Sequence, residues 1–160
     1  MSYDRTELQK IARKALLAAH ENLQTYGRIL PIGMVFDEDG LTRLFPFNCE
    51  DLQVKRILQE EFKNLLVKVG AKAAVVVTES WLKEETQMPP NLTRSIADDP
   101  ARKEVIVIEA ASSQARYMII QIFRKDPSGR VRFDPPIEPY FACEVRSEWL
   151  DGVWPDRKPN

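Results

Sequence analysis

Three polar residues interrupt otherwise apolar runs in this chain: Glu79 between Thr78 and Ser80, Glu109 at the end of Val105-Ile106-Val107-Ile108, and Gln121 between Ile120 and Ile122. A carboxylate held in an apolar layer is costly unless it is paired, hydrogen-bonded or bound to a cation. Two that converge raise one another's pKa and can share a proton or a metal ion, which is the chemistry of acid–base pairs and of metal-assisted hydrolysis. Glu79, Glu109 and Gln121 are therefore the candidate catalytic residues. The competing reading puts each near a strand end, reaching water or capping neighbouring backbone, and strand register decides between the two.

Other residue types narrow the chemistry by their scarcity. His20 is the sole histidine, so zinc sites built on two or more histidines have no candidate, and any Ser-His-Asp or Cys-His arrangement depends on this one ring. It falls late in a helical pattern, where a structural role near the carbonyl end of the helix dipole is the simpler reading. Cys49 and Cys143 are far apart and lack CxxC spacing, so we read them as free thiols. Six glycines form neither GxGxxG nor GxxxxGK[ST], which leaves no phosphate cradle. Asp37-Glu38-Asp39-Gly40 resembles the start of a calcium loop, but Leu41, Arg43 and Leu44 occupy positions that need oxygen ligands. No cofactor or metal is expected.

These residues need elements to position them. Asp4 and Glu7 open an amphipathic helix whose apolar positions, Leu8, Ile11, Ala12, Ala15, Leu16, Ala19 and Leu23, run to Gly27. Asp39-Gly40 reads as a two-residue hairpin turn that sets Met34 opposite Phe45 and Ile32 opposite Phe47, with Pro31 and Pro46 placing the hairpin at a sheet edge. A second helix, capped by Asn48 or Glu50-Asp51, carries Leu52, Val54, Leu58, Phe62, Leu65, Leu66 and Val69. Strands follow over 73–82, 104–111, 116–124 and 130–133. Val75-Val76-Val77, Val105 to Ile108 and Met118 to Ile120 are apolar on consecutive positions, so both sheet faces should be covered.

At 160 residues, 44% hydrophobic and 29% charged, the chain has the composition of an ordinary globular domain. The fold class is α+β: an antiparallel sheet of five to six strands with two helices, in the order α-β-β-α-β-β-β(-β), the helices expected on one face. We divide the chain into a domain over 1–134 and a Pro/aromatic tail over 135–160, with 83–103 a long polar connection. Its order is similar to that of roadblock and profilin-like domains over residues 4–134. The likeness is topological, carries no motif residues, and implies a tendency to dimerise and scaffold.

A net charge of −1 gives no global field to draw nucleic acid or an anionic membrane. The apolar runs are strand-sized, and the N-terminus lacks a signal-peptide core, so a cytoplasmic protein is expected. The leading functional expectation is a non-catalytic interaction or assembly module, a homodimer, with Tyr140, Phe141, Trp149 and Trp154 of the tail as contact residues. The alternative is a small carboxylate-pair or metal-dependent hydrolase on Glu79 and Glu109, with the long connection as its lid. A third reading is nucleic-acid binding by Arg116, Arg124, Lys125, Arg130 and Arg132 with interleaved Tyr117, Phe123 and Phe133.

Overall fold

A computed structural model describes residues 3–47, 51–82, 103–138 and 147–154. Helix α1 (Arg5–Tyr26) begins where the Asp4 carboxylate accepts the Glu7 N–H at 2.9 Å. It ends where Gly27, at φ +73°, donates its N–H to the Leu23 carbonyl. Asp51 likewise caps α2 (Leu52–Lys68), accepting from the Val54 N–H at 2.8 Å.

Between the helices lies the hairpin β1 (Ile32–Asp37) and β2 (Gly40–Pro46); β3 (Ala73–Leu82), β4 (Lys103–Ser112), β5 (Arg116–Lys125) and β6 (Val131–Phe133) follow α2. All pairings are antiparallel, in the order β2-β1-β3-β4-β5-β6. The fold is thus α+β, with two helices and a six-stranded antiparallel sheet among the described residues.

The hairpin turns one residue earlier than its sequence suggests. Asp37 pairs with Gly40, so Glu38-Asp39 form the loop, and Met34 faces Leu44 rather than Phe45, Ile32 facing Pro46 rather than Phe47. The cause is the Asp37 side chain, which accepts the Asp39 N–H at 2.7 Å and closes the turn from within. Gly40, at φ +122°, supplies the conformation needed to enter β2. A register shift between Val35 and Phe36 then absorbs the mismatch. The hairpin does lie at an edge, with Pro46 on the outermost strand, β2.

The helices occupy opposite faces rather than one. Leu8, Ala12, Ala15, Leu16, Ala19 and Leu23 of α1 pack on Ala73, Val75 and Val77 of β3 together with Ile106, Ile108 and Ile119. The alternate residues Ala74 and Val76 meet Phe62 and Leu66 of α2, and with them Trp149 and Leu150 from the described part of the tail. A strand apolar on both faces needs two covers, and α2 shares the second with Trp149 and Leu150. Its approach is close: a Cβ added at Gly33 of β1 would lie 2.6 Å from the Phe62 ring and 2.7 Å from Phe47.

Candidate functional site

Strand register places the three polar candidates. Glu79 pairs with Ile106, and Ile106 with Gln121, so Glu79, Ile106 and Gln121 lie in one row on the α1 face, Glu79 and Gln121 roughly 10 Å apart across two strand spacings. Glu109 pairs with Val76, whose side chain belongs to the α2 face. Glu79 and Glu109 therefore point to opposite sides of the sheet. They do not converge and cannot share a proton or a cation. Among the described residues, no group of three or more His, Cys, Asp or Glu side chains is arranged to hold a metal ion.

Each of the three instead has its own local surroundings. Glu79 is exposed towards the end of β3; partial desolvation, then the neighbouring Glu104, pushes its pKa up, and Lys125 opposes the shift. Glu109 is more deeply set. Burial raises its pKa against the lowering effect of a 2.5 Å hydrogen bond donated by the Ser147 hydroxyl. That same hydroxyl oxygen accepts the N–H groups of Trp149 and Leu150, so Ser147 caps the turn that seats the two apolar side chains. Arg116 reinforces the junction with a 2.6 Å ion pair to Asp151. Glu109 anchors the tail to the sheet, in a space of about 10 Å³ that admits no substrate.

Gln121 is fully buried and satisfied on both ends of its amide. Its Nε2 donates to the carbonyls of Asp134 at 2.5 Å and Ile122 at 3.0 Å, so Oε1 accepts from His20 Nε2 at 3.1 Å. With both amide hydrogens used on carbonyls, the network assigns the donor role in this contact to His20 Nε2–H. The imidazole stacks on Phe133, centroids 3.9 Å apart and planes 27° from parallel. The ring's role is lateral attachment of α1 to β5 and β6, not compensation of the helix dipole; the last turn of α1 contains no basic residue.

Beside the ring runs a groove of about 480 Å³ lined also by Arg13, Asp134, Pro136 and Glu138. Arg13 is committed to Glu138 through two 2.9 Å hydrogen bonds, which hold the Glu138 carboxyl below its usual range. The groove is lined by the His20 imidazole, but no hydroxyl or thiol is present among its described lining residues to serve as a nucleophile.

Trp149 is buried in the chain's own core, with Phe47 4.0 Å away centroid to centroid, and the half-buried Trp154 donates Nε1–H to the Ala71 carbonyl at 3.1 Å. Neither is presented as a contact surface. Tyr140, Phe141, both cysteines and the connection over 83–102 lie outside the described residues. Comparison with protein-family models, curated proteins and solved structures returns no match.

The aromatics of the final hairpin are also spoken for. Tyr117 and Phe123 are buried and Phe133 is stacked on His20, while Arg124 pairs with Asp134 and Lys125 donates to the Gly27 carbonyl. Among the described residues of this hairpin, Tyr117, Phe123 and Phe133 thus present no open ring face for a nucleic-acid base to stack on. No helix among the described residues is long and apolar enough to cross a membrane.

What sequence reasoning overlooked is the opposite edge. Leu41 and Leu44 of β2 are 52% and 56% exposed, both on the α1 face of the sheet beside Phe36 and Met34. The signal was present in the hairpin itself: a strand with Leu, Leu and Phe on both faces cannot bury all of them at an edge.

Proposed function

We propose that the protein is a non-catalytic assembly module that pairs with a second copy through the outer edge of its β1–β2 hairpin. The observation that carries this reading is the pair of exposed leucines on the outermost strand, Leu41 and Leu44, whose partners Phe36 and Met34 place them on the same face of the sheet. Large apolar side chains gathered at one place are the mark of a contact surface, whereas single ones are ordinary. Pro46 and the irregularity in the hairpin register blunt backbone pairing along β2, so the contact runs through side chains rather than through an extended sheet. With a net charge of −1, two copies meet without appreciable long-range repulsion. The separation of Glu79 from Glu109 removes the support for a carboxylate-pair enzyme.

Sedimentation equilibrium over a wide concentration range tests the proposal. A reversible dimer is expected for the wild type, with Leu44→Asp shifting it to monomer while circular dichroism stays unchanged. A strict monomer at the highest attainable concentration refutes assembly through this edge.

A further inference from the structure

We infer that the cleft between α1 and the β1–β2 hairpin binds a small amphipathic anion, a hydrocarbon body with an anionic head, for which a fatty carboxylate is the probe. This goes beyond the assembly reading and rests on other observations, although Leu41 belongs both to the cleft wall and to the proposed assembly edge. The cleft exists because α1 packs over β3, β4 and β5 and leaves the floor made by the hairpin open on one side. Where the helix overhangs that floor it carries Ala15 and Ala18, whose short side chains fill little of the gap. The result is a space of about 400 Å³ walled by Ile11, Ala15 and Ala18 above and by Met34, Phe36 and Leu41 below. That volume lies within the range of small-molecule sites.

The polar groups at its rim define the ligand's other end. Glu7, Lys10 and Lys14 line the helical wall at successive turns. Glu7 is the single acid among the described lining residues, and it is held by Lys10 at 3.1 Å. Lys14 has no ion-pair partner among the described residues. Tyr3, the remaining polar side chain of the lining, donates its hydroxyl to the Asp37 carbonyl at 2.5 Å and offers no free donor. A ligand body with hydrogen-bonding groups would leave them unsatisfied against this floor, so the body is plain hydrocarbon. A cation at the head would meet Lys14 and Lys10. An anion complements them.

Isothermal titration calorimetry with octanoate, decanoate and dodecanoate, each kept below its micelle concentration, tests the assignment, with decanol and decyltrimethylammonium as charge controls. Saturable binding is expected, about two- to fourfold tighter for each methylene added until the cleft is full. Lys14→Gln weakens decanoate roughly two- to fivefold, the contribution of one exposed ion pair, and leaves decanol unchanged. Ala18→Phe, a substitution at an exposed helix position that keeps the fold, fills the cleft and weakens both about tenfold or more.

Absence of saturable binding, equal affinity for decanoate and decyltrimethylammonium, or an Ala18→Phe variant that binds like wild type would each overturn the inference. So would occupation of the cleft by an acidic, apolar peptide but not by decanoate, which assigns it to a protein partner. Leu44 does not line the cleft. Leu44→Asp therefore disrupts assembly and spares decanoate binding, and the two proposals fail separately.

Discussion

Replacing Trp149 by alanine tests whether the tail segment is a structural part of this domain. The side chain is 5% exposed and packs against Phe47 within the cluster that includes Phe62, Leu66 and Val76. A buried Trp removes roughly 200 Å² from water, which at about 25 cal/mol per Å² amounts to ~5 kcal/mol. Allowing for the partial compactness of the unfolded chain lowers this to about 3–4.5 kcal/mol, within the ~3–5 kcal/mol typical of Trp→Ala in cores. Urea denaturation followed by far-ultraviolet circular dichroism measures the difference, and thermal melting should show a fall of roughly 10 °C.

Because the segment docks on its own chain, the loss should be the same over a roughly hundredfold range of protein concentration. A loss below about 1 kcal/mol would mean that the second face of the sheet does not need this cover. A loss that varies with concentration would mean that the tail is exchanged between copies. Either result refutes the arrangement in which α2 and Ser147–Trp154 jointly close that face.

Other substitutions probe the remaining junctions. Gly33→Ala should destabilise by about 1–3 kcal/mol in the same denaturation assay, since the new methyl group meets the Phe62 and Phe47 rings. His20→Phe keeps an aromatic ring over Phe133 but strips the buried Gln121 Oε1 of its donor, with an expected cost of about 1–3 kcal/mol by urea denaturation. For Glu109, burial raises the folded-state pKa above the ordinary value of 4.5, so the folded chain binds the proton more tightly than the unfolded one. Stability from this group is then fully present below 4.5 and declines as pH rises through the raised value. Melting temperatures of wild type and Glu109→Gln, which still accepts from Ser147, should diverge in the variant's favour over that window; a difference that is flat with pH refutes the assignment.

The helices were legible because their signals are local. Asp4 and Asp51 each accept the N–H three residues on, and the apolar spacing of α1 picks out the residues that are buried. The strands and the edge position of the hairpin followed in the same way from apolar runs and from Pro46. What local signals could not supply was pairing. The turn moved by one residue because the Asp37 side chain competed with Asp39-Gly40 for the loop, and in a strand one residue exchanges the two faces. The same ambiguity governed the candidate site. Glu79 and Glu109 sit in strands joined by a long connection, and no periodicity within either strand states which residue of one opposes which of the other. Their separation follows only from the pairs Glu79 with Ile106 and Val76 with Glu109.

The polar residues that first suggested chemistry differ in where they sit. Gln121 binds His20 of α1 and the backbone at Asp134, fastening the helix and the final strand segment to β5. Glu109 holds Ser147 and through it the turn that presents Trp149 and Leu150. Apolar contacts hold a cover onto a sheet but set its position weakly, because hydrophobic attraction is non-directional. A buried amide or carboxylate with one geometrically suitable partner does set it, since any slippage leaves the group unsatisfied. Glu79 is different: among the described residues it fastens no element to the sheet, and its pKa is raised by partial desolvation and then by Glu104, with Lys125 opposing. In a sheet apolar on both faces, an isolated polar residue within a strand is thus as well explained by the placement of its covers as by catalysis.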